Sequence, residues 1–215
     1  MISLAAQNPK ESAIFYVLDG TAADAPFAGT FEKVKEILPH EVKMVDFRAV
    51  GEAMNELAQE MNRRQTVENL PELPSIYVFI YGLQRYRPLR KSEDSFGGFG
   101  SSEEEKKPEP DKQFADMLRE GPPLGMHTIT WCDTPASLER TLDRGSMREF
   151  DNRVLFQMSA NDSSNLIDSP AGNKLGMFRA LVYSEEQGFF EKFRPYGMAD
   201  KAWLDFLRSK FESRK

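Results

Sequence analysis

The residues from Pro74 to Gly82, PSIYVFIYG, form a short apolar run rich in β-branched and aromatic side chains. A proline leads into it and a glycine stops it. No polar alternation leaves one face wet, so the run predicts a strand buried on both faces, between two layers of helices. Similar runs lie at Ala13–Leu18 (AIFYVL, ended by Asp19-Gly20), Val42–Phe47, His127–Trp131 and Val154–Met158. Phe178–Tyr183 and Gly188–Phe193 predict a hairpin across Glu185-Glu186-Gln187. Helical periodicity fills the gaps. Ala49–Thr66 carries the strongest pattern, with Val50, Met54, Leu57, Ala58 and Met61 on one face. Arg63 and Arg64 stand in its last turn, where positive charge suits the helix dipole. Weaker helical patterns cover Thr30–Leu38, Lys112–Glu120, Ala136–Leu142, Ser146–Phe150 and Asp162–Ile167. Asp200–Phe211 closes the chain as an amphipathic helix that buries Trp203, Leu204, Leu207 and Phe211. Met1–Gln7 reads as the tail of a helix stopped by Asn8-Pro9. A fragment of something larger and a frayed native terminus both fit that opening.

Strands alternating with helices predict an α/β fold. The expectation is one domain over 1–215: a mostly parallel sheet, helices on both faces, and a C-terminal hairpin and helix. Residues 92–112 interrupt the periodicity. They hold seven acids against three lysines, with serine, glycine and proline between them. They read as a mobile acidic insertion.

Charge and composition narrow the function. The net charge is −6, most of it in that insertion, so the body is near neutral and is no general magnet for nucleic acid. No apolar run reaches the roughly 18 residues that cross a bilayer, and the N-terminus lacks a basic secretory leader. The expected location is the cytoplasm, including the cytoplasmic part of a membrane-associated protein. One cysteine, Cys132, and two histidines leave no disulfide framework and no plausible zinc set.

Candidate chemistry is sparse. Asp19, at the tip of the first strand, suits either a functional carboxylate or a turn former. The run Leu83–Lys91 presents Arg85, Arg87, Arg90 and Lys91 around Tyr86. Such a segment can grip phosphate on DNA, contact a partner, or simply be a solvated loop.

From Gly125 onward the motifs GMHTITWCDTP, FDNRVLFQMS, NDSSNLIDSPAGNKLG and FRALVY follow one another. Their order resembles the C-terminal half of the FtsK/SpoIIIE motor domain. VLDG, the helix ending MNRRQ, and LPSIYVFIYGL keep the same order upstream, at the family's Asp-bearing strand tip, its Glu-Met-x-x-Arg helix and its Walker B strand. The resemblance implies a three-layer, RecA-like P-loop ATPase fold. It also implies a place in a DNA- or protein-translocating machine, where modules of one polypeptide, or ring subunits, work together. Type VII secretion ATPases string such modules in series, and some modules there lose their acids and serve as partner-binding platforms.

The departures matter as much. No G-x-x-x-x-G-K-[ST] phosphate loop occurs in these residues. ATP and Mg²⁺ are therefore expected only if such a loop lies upstream. The Walker B acid pair falls on Tyr81 and Gly82. The sensor glutamine falls on Asp133, which suits a restored carboxylate or a cap before Pro135. Arg153 keeps the family's arginine position, reaching a neighbouring subunit's phosphate or pairing with Asp151 or Glu149. By resemblance Asp19, Asp133 and Arg153 are the nucleotide-side residues. Two readings stand: an ATPase module weak or inactive in hydrolysis, or a nucleotide-free scaffold that binds a partner peptide. An unrelated α/β enzyme finds no G-x-S-x-G, G-x-G-x-x-G or metal cluster to rest on.

Overall fold

A computed structural model describes residues 1–92 and 109–213. Most of the expected acidic insertion therefore lies outside the described residues. Its C-terminal end does not: residues 110–112 are already helical. The described chain divides into two compact units, Met1–Asp143 with Asp200–Lys215, and Arg144–Ala199.

The first unit is built on four parallel strands: β1 (Ala13–Asp19), β2 (Glu41–Met44), β3 (Ser75–Tyr81) and β4 (Met126–Trp131). They run in the order β2-β1-β3-β4. The central strand of the sequence pattern, β3, pairs with both β1 and β4. Register aligns Phe15 with Tyr77 and Asp19 with Tyr81, so odd-numbered residues of these strands share one face. That face packs against α1 (Ile2–Gln7), α2 (Thr30–Lys35) and α8 (Lys201–Glu212) through Ala5, Phe15, Val17, Val34 and Phe211. The opposite face meets α3 (Val50–Gln65), where Tyr16 donates to Glu56 at 2.9 Å. Helix α4 (Pro110–Glu120) lies alongside α3 and buries Phe114, Met117 and Leu118. Helices on both faces of a parallel sheet make the three layers that the pattern predicts.

One expectation fails in detail. Burial along β3 alternates: Ile76, Val78 and Ile80 are buried, whereas Tyr77, Phe79 and Tyr81 are half-buried. The reason is the width of the aromatic rings. Tyr77 stacks on Phe15 at 5.6 Å and on His127 at 5.4 Å, a layer of rings that helices cover only in part. Residues 45–47 also leave the second strand early. Asp46 accepts from the Arg48 amide at 2.9 Å and caps a 3-10 turn.

Arg64 departs from its sequence reading. It is one of the most buried side chains in the protein, not a solvent-facing charge on a helix end. Its guanidinium donates to the carbonyls of Pro74 (2.7 Å) and Leu124 (2.9 Å) and to Glu60 (2.8 Å). Those carbonyls precede β3 and β4, so Arg64 pins the entry ends of two adjacent strands.

The second unit carries an antiparallel sheet in the order β5-β6-β7. Its strands are β5 (Asn152–Leu155), β6 (Ala180–Ser184) and β7 (Phe189–Phe193). The expected hairpin is β6–β7, and β5 adds to its other side. Leu155, Ile167, Leu175 and Leu181 form its core beneath α7 (Ala160–Ile167). Two short helices precede this sheet, α5 (Pro135–Thr141) in the first unit and α6 (Arg144–Arg148) in the second.

Candidate functional site

In an open parallel sheet the carboxyl ends of the strands share one edge, and ligands gather there. Here that edge is formed by Asp19-Gly20 at the end of β1, Tyr81-Gly82 at the end of β3 and Cys132-Asp133 just after β4. The tips of β1 and β3 touch through backbone at Gly20. Gly20 donates to the Tyr81 carbonyl at 2.7 Å, and a β-carbon on Gly20 would lie 2.4 Å from that oxygen. Gly82 turns the chain out of the sheet at φ +78°.

Tyr81 stands in a box of rings. Trp131 stacks on it at 4.6 Å and 9°, while Phe27 and Phe31 approach at 6.0 Å. Trp131 and Phe27 are 39% and 37% exposed, so the box opens to solvent. Burial, and then the charge of Asp19, raise the Tyr81 phenol above its ordinary pKa.

The candidate residues are divided between the two units. Asp19 reaches the edge, but one oxygen is committed to a turn: Oδ1 accepts from the Thr21 amide at 2.9 Å and its hydroxyl at 2.5 Å. Asp133 is exposed beyond β4. It does not cap the next helix; Thr134 does, accepting from Ser137 at 3.1 Å. The Asp133 carboxylate instead accepts from the Thr134 hydroxyl at 3.4 Å and from the Cys132 thiol at 3.9 Å. Arg153 belongs to the second unit. Its partners are Glu185 at 2.5 Å and the Leu166 carbonyl at 2.8 Å, not Asp151 or Glu149. The antiparallel pairing of β5 with β6 explains this, because it sets Arg153 opposite Tyr183, two residues from Glu185.

The basic run forms two 3-10 turns, Leu83–Arg85 and Arg87–Leu89. Leu83, Tyr86 and Leu89 point inward at three-residue spacing, the repeat of that helix, and are buried. Arg85, Arg87, Arg90 and Lys91 are all exposed. Arg90 is tethered to the Gln84 carbonyl at 2.7 Å and the Lys91 amide to Thr141 at 2.9 Å. The segment is thus a fixed turn that displays four cations. Sequence reasoning missed Phe27, Phe47 and Tyr86 as parts of this edge. Tyr86 stacks on Phe47 at 4.6 Å, a long-range pairing that no local pattern announces.

The residues present do not fit a magnesium site where the resemblance puts one. Such a site needs carboxylate oxygens at the end of β3. Tyr81 is locked among rings and Gly82 has no side chain. Among the described residues no group of three His, Cys, Asp or Glu side chains could hold a metal ion.

No family model and no curated protein matches the sequence. Solved structures do match its fold. The conjugation coupling protein TcpA of pCW3, a monomer form with ATPγS, superposes with a TM-score of 0.65 at 16% identity over 96% of this chain. The cytoplasmic domain of the type VII secretion ATPase EccC of Thermomonospora curvata gives 0.63 at 17% over 98%. EssC (ATPases 2 and 3) of Geobacillus thermodenitrificans gives 0.60 at 14% over 99%. The chain spans only 58%, 25% and 39% of those three. The genome packaging NTPase B204 of Sulfolobus turreted icosahedral virus 2, in complex with AMPPCP, gives 0.54 at 10%, with 91% and 88% of the two chains covered. These residues share the fold of those structures, FtsK/SpoIIIE-like and RecA-like.

Proposed function

We propose that these residues, which carry the FtsK/SpoIIIE-like fold, are a module of a DNA- or protein-translocating machine that does not itself hydrolyse nucleotide. One observation carries the reading. Where the resemblance puts the metal-ordering acid pair, Tyr81 is packed between Trp131 and two phenylalanines, and the next residue is glycine. Phosphoryl transfer needs charge there to order Mg²⁺ and water. A stacked phenol supplies neither.

ATP has a place in this reading only if a phosphate loop is supplied from outside these residues. In that case Asp19, Asp133 and Arg153 are the positions that the resemblance turns toward the nucleotide. The partners are other modules of the same polypeptide or ring subunits, acting on the cytoplasmic side of the cell. Among the described residues no helix is long and apolar enough to cross a membrane. The second reading, a nucleotide-free platform, is favoured by the fixed basic turn. Arg85, Arg87, Arg90 and Lys91 are held outward on buried anchors and suit a phosphate backbone or an acidic partner segment.

Calorimetric titration with Mg-ATP, run on this chain and on one extended at its N-terminus, tests the proposal. Heat only from the extended chain, without turnover, supports a nucleotide-holding but inactive module. No heat from either leaves the platform. Turnover by the 215 residues alone refutes both.

A further inference from the structure

Three strand ends meet at one end of the antiparallel sheet. Leu155, the last residue of β5, lies opposite Leu181, and Phe193, the last of β7, lies opposite Ala180, where β6 begins. Just beyond these ends stand the four most exposed large apolar side chains among the described residues. Met177 is 81% exposed, Phe178 71% and Met198 64%, and Tyr196 is wholly in water. Phe156, next after β5, is exposed as well. All five belong to the second unit.

The loop that carries Met177 and Phe178 is braced. Gln157 accepts from the Gly176 amide at 2.9 Å and donates to the Asn173 carbonyl. Asn173 donates in turn to the Met158 carbonyl at 3.3 Å. Leu175 and Ala180, on either side, are buried. Phe178 sits at φ +56°, a left-handed conformation that strains a bulky side chain. The anchored backbone thus holds two large apolar groups in water, at a cost that burial against another surface recovers.

Charge selects that surface. Residues 169–184 and 189–199 carry four cations, Lys174, Arg179, Lys192 and Arg194, and one acid, Glu191. Among the described residues none of the four cations is in an ion pair. Arg179 directly precedes β6 and Arg194 directly follows β7, beside the apolar tips. A nucleic-acid strand suits the cations but leaves the two methionines in water. A second copy of the same end brings cations against cations. At an anionic lipid surface both needs are met: rings and thioethers enter below the headgroups while the cations stay at the phosphates.

We propose that Met177, Phe178, Tyr196 and Met198, with Lys174, Arg179 and Arg194, dock this chain on an anionic lipid bilayer. The contact lies on the membrane and spans nothing. It goes beyond the translocation reading and stands or falls without it.

The test is flotation of the full chain with vesicles of equal parts phosphatidylglycerol and phosphatidylcholine, against phosphatidylcholine alone. The chain carries a net charge of −6, so its overall charge opposes adsorption and a local surface has to drive it. Binding is expected to the anionic vesicles only, and it weakens as salt rises. Met177→Ser combined with Phe178→Ser weakens it about tenfold or more. Arg179→Gln and Arg194→Gln each weaken it about fivefold. Phe178→Trp keeps a ring in place, and bromine-labelled lipid quenches its emission beyond that of the native chain. Phe206→Ser, which removes an exposed ring from the first unit, leaves binding unchanged. No binding to anionic vesicles, equal binding to neutral ones, or affinity untouched by the double serine variant overturns the proposal. So does a bound Phe178→Trp chain without added quenching, which leaves adsorption by charge alone. A loss with Phe206→Ser as large as with the double serine variant overturns it too. Self-association in analytical ultracentrifugation that the double serine variant abolishes overturns it in favour of a second copy. No nucleotide enters these measurements, so failure here is distinguishable from failure of the translocation reading.

Discussion

Replacing Arg64 by alanine separates two accounts of the same residue. If Arg64 merely complements the dipole of α3, removing it costs about 0.3–1 kcal/mol. The structure gives it a different task. Its side chain is 2% exposed and donates to Pro74, Leu124 and Glu60 at 2.7, 2.9 and 2.8 Å. Arg64→Ala leaves two backbone carbonyls without their donor. Hydrogen bonds to charged groups are worth about 1.5–3 kcal/mol each, so two lost bonds amount to about 3–6 kcal/mol before water enters the cavity. Removing one partner of a buried pair costs about 3–5 kcal/mol, and the two estimates overlap. At about 2–4 °C per kcal/mol for a chain of this length, the melting temperature falls by about 6–20 °C. Circular dichroism melts and urea titrations of Arg64→Ala and Arg64→Lys measure this. Lysine restores a charge but not the fork, so it recovers only part of the loss. A loss under about 1 kcal/mol for alanine returns Arg64 to the dipole account and refutes the clamp.

Gly82→Glu is expected to show no ATPase turnover, because one carboxylate supplies neither a phosphate loop nor the second acid; measured turnover overturns that reading. Gly20→Ala is expected to destabilise, because its β-carbon would lie 2.4 Å from the Tyr81 carbonyl oxygen. A melting temperature equal to wild type shows that the strand tips can part. Glu60 is held down to about 2, chiefly by its hydrogen bond from Arg63 and also by Arg64. Its folded pKa lies below the unfolded value, so its contribution is complete above about 4.5 and is lost as pH falls toward 2. Glu60→Gln should therefore flatten the acid limb of the stability curve between those values, and an unchanged limb refutes the assignment. Reversing Arg85 and Arg87 to glutamate should weaken binding to duplex DNA. The slope of log affinity against log salt should also become shallower, by about 0.9 for each phosphate no longer neutralised. Equal salt slopes in filter binding leave the turn as a solvated loop.

Much of the fold is legible because parallel strands and their helices are local patterns. PSIYVFIYG, AIFYVL and HTITW are apolar enough to be strands whatever surrounds them, and they are. The failures have one cause, the dependence of burial on distant neighbours. Arg64 follows Arg63 in the same helical turn, and nothing local says that one clamps carbonyls while the other stays in water. Tyr86 reads as an aromatic among exposed cations, yet a three-residue repeat buries it against Phe47 from another strand end. Arg153 has acids close by in sequence, yet its partner, Glu185, comes from across a strand pair. The absence of acids at the end of β3 is legible, since Tyr81 and Gly82 are visible as residues. The box of rings around Tyr81 is not, because Phe27, Phe31 and Trp131 come from separate stretches of the sequence.

The box of rings has an energetic logic. A magnesium site keeps carboxylates close together at the end of a buried strand, and each bears a desolvation penalty until the ion arrives. Rings impose no such cost. A well-placed aromatic pair adds about 0.5–1.5 kcal/mol beyond its buried area, and Tyr81 makes three such contacts. Rings at this edge therefore stabilise the fold without waiting for an ion. The backbone leaves β3 through a left-handed glycine whose β-carbon, if present, would sit 3.3 Å from the Gly20 carbonyl oxygen. A side chain at that position is strained by the left-handed backbone, and the Gly20 carbonyl has to give by a few tenths of an ångström. The edge presents rings around Tyr81 with the Asp19 carboxylate beside them in register, and on the proposed reading binding is the activity to measure here.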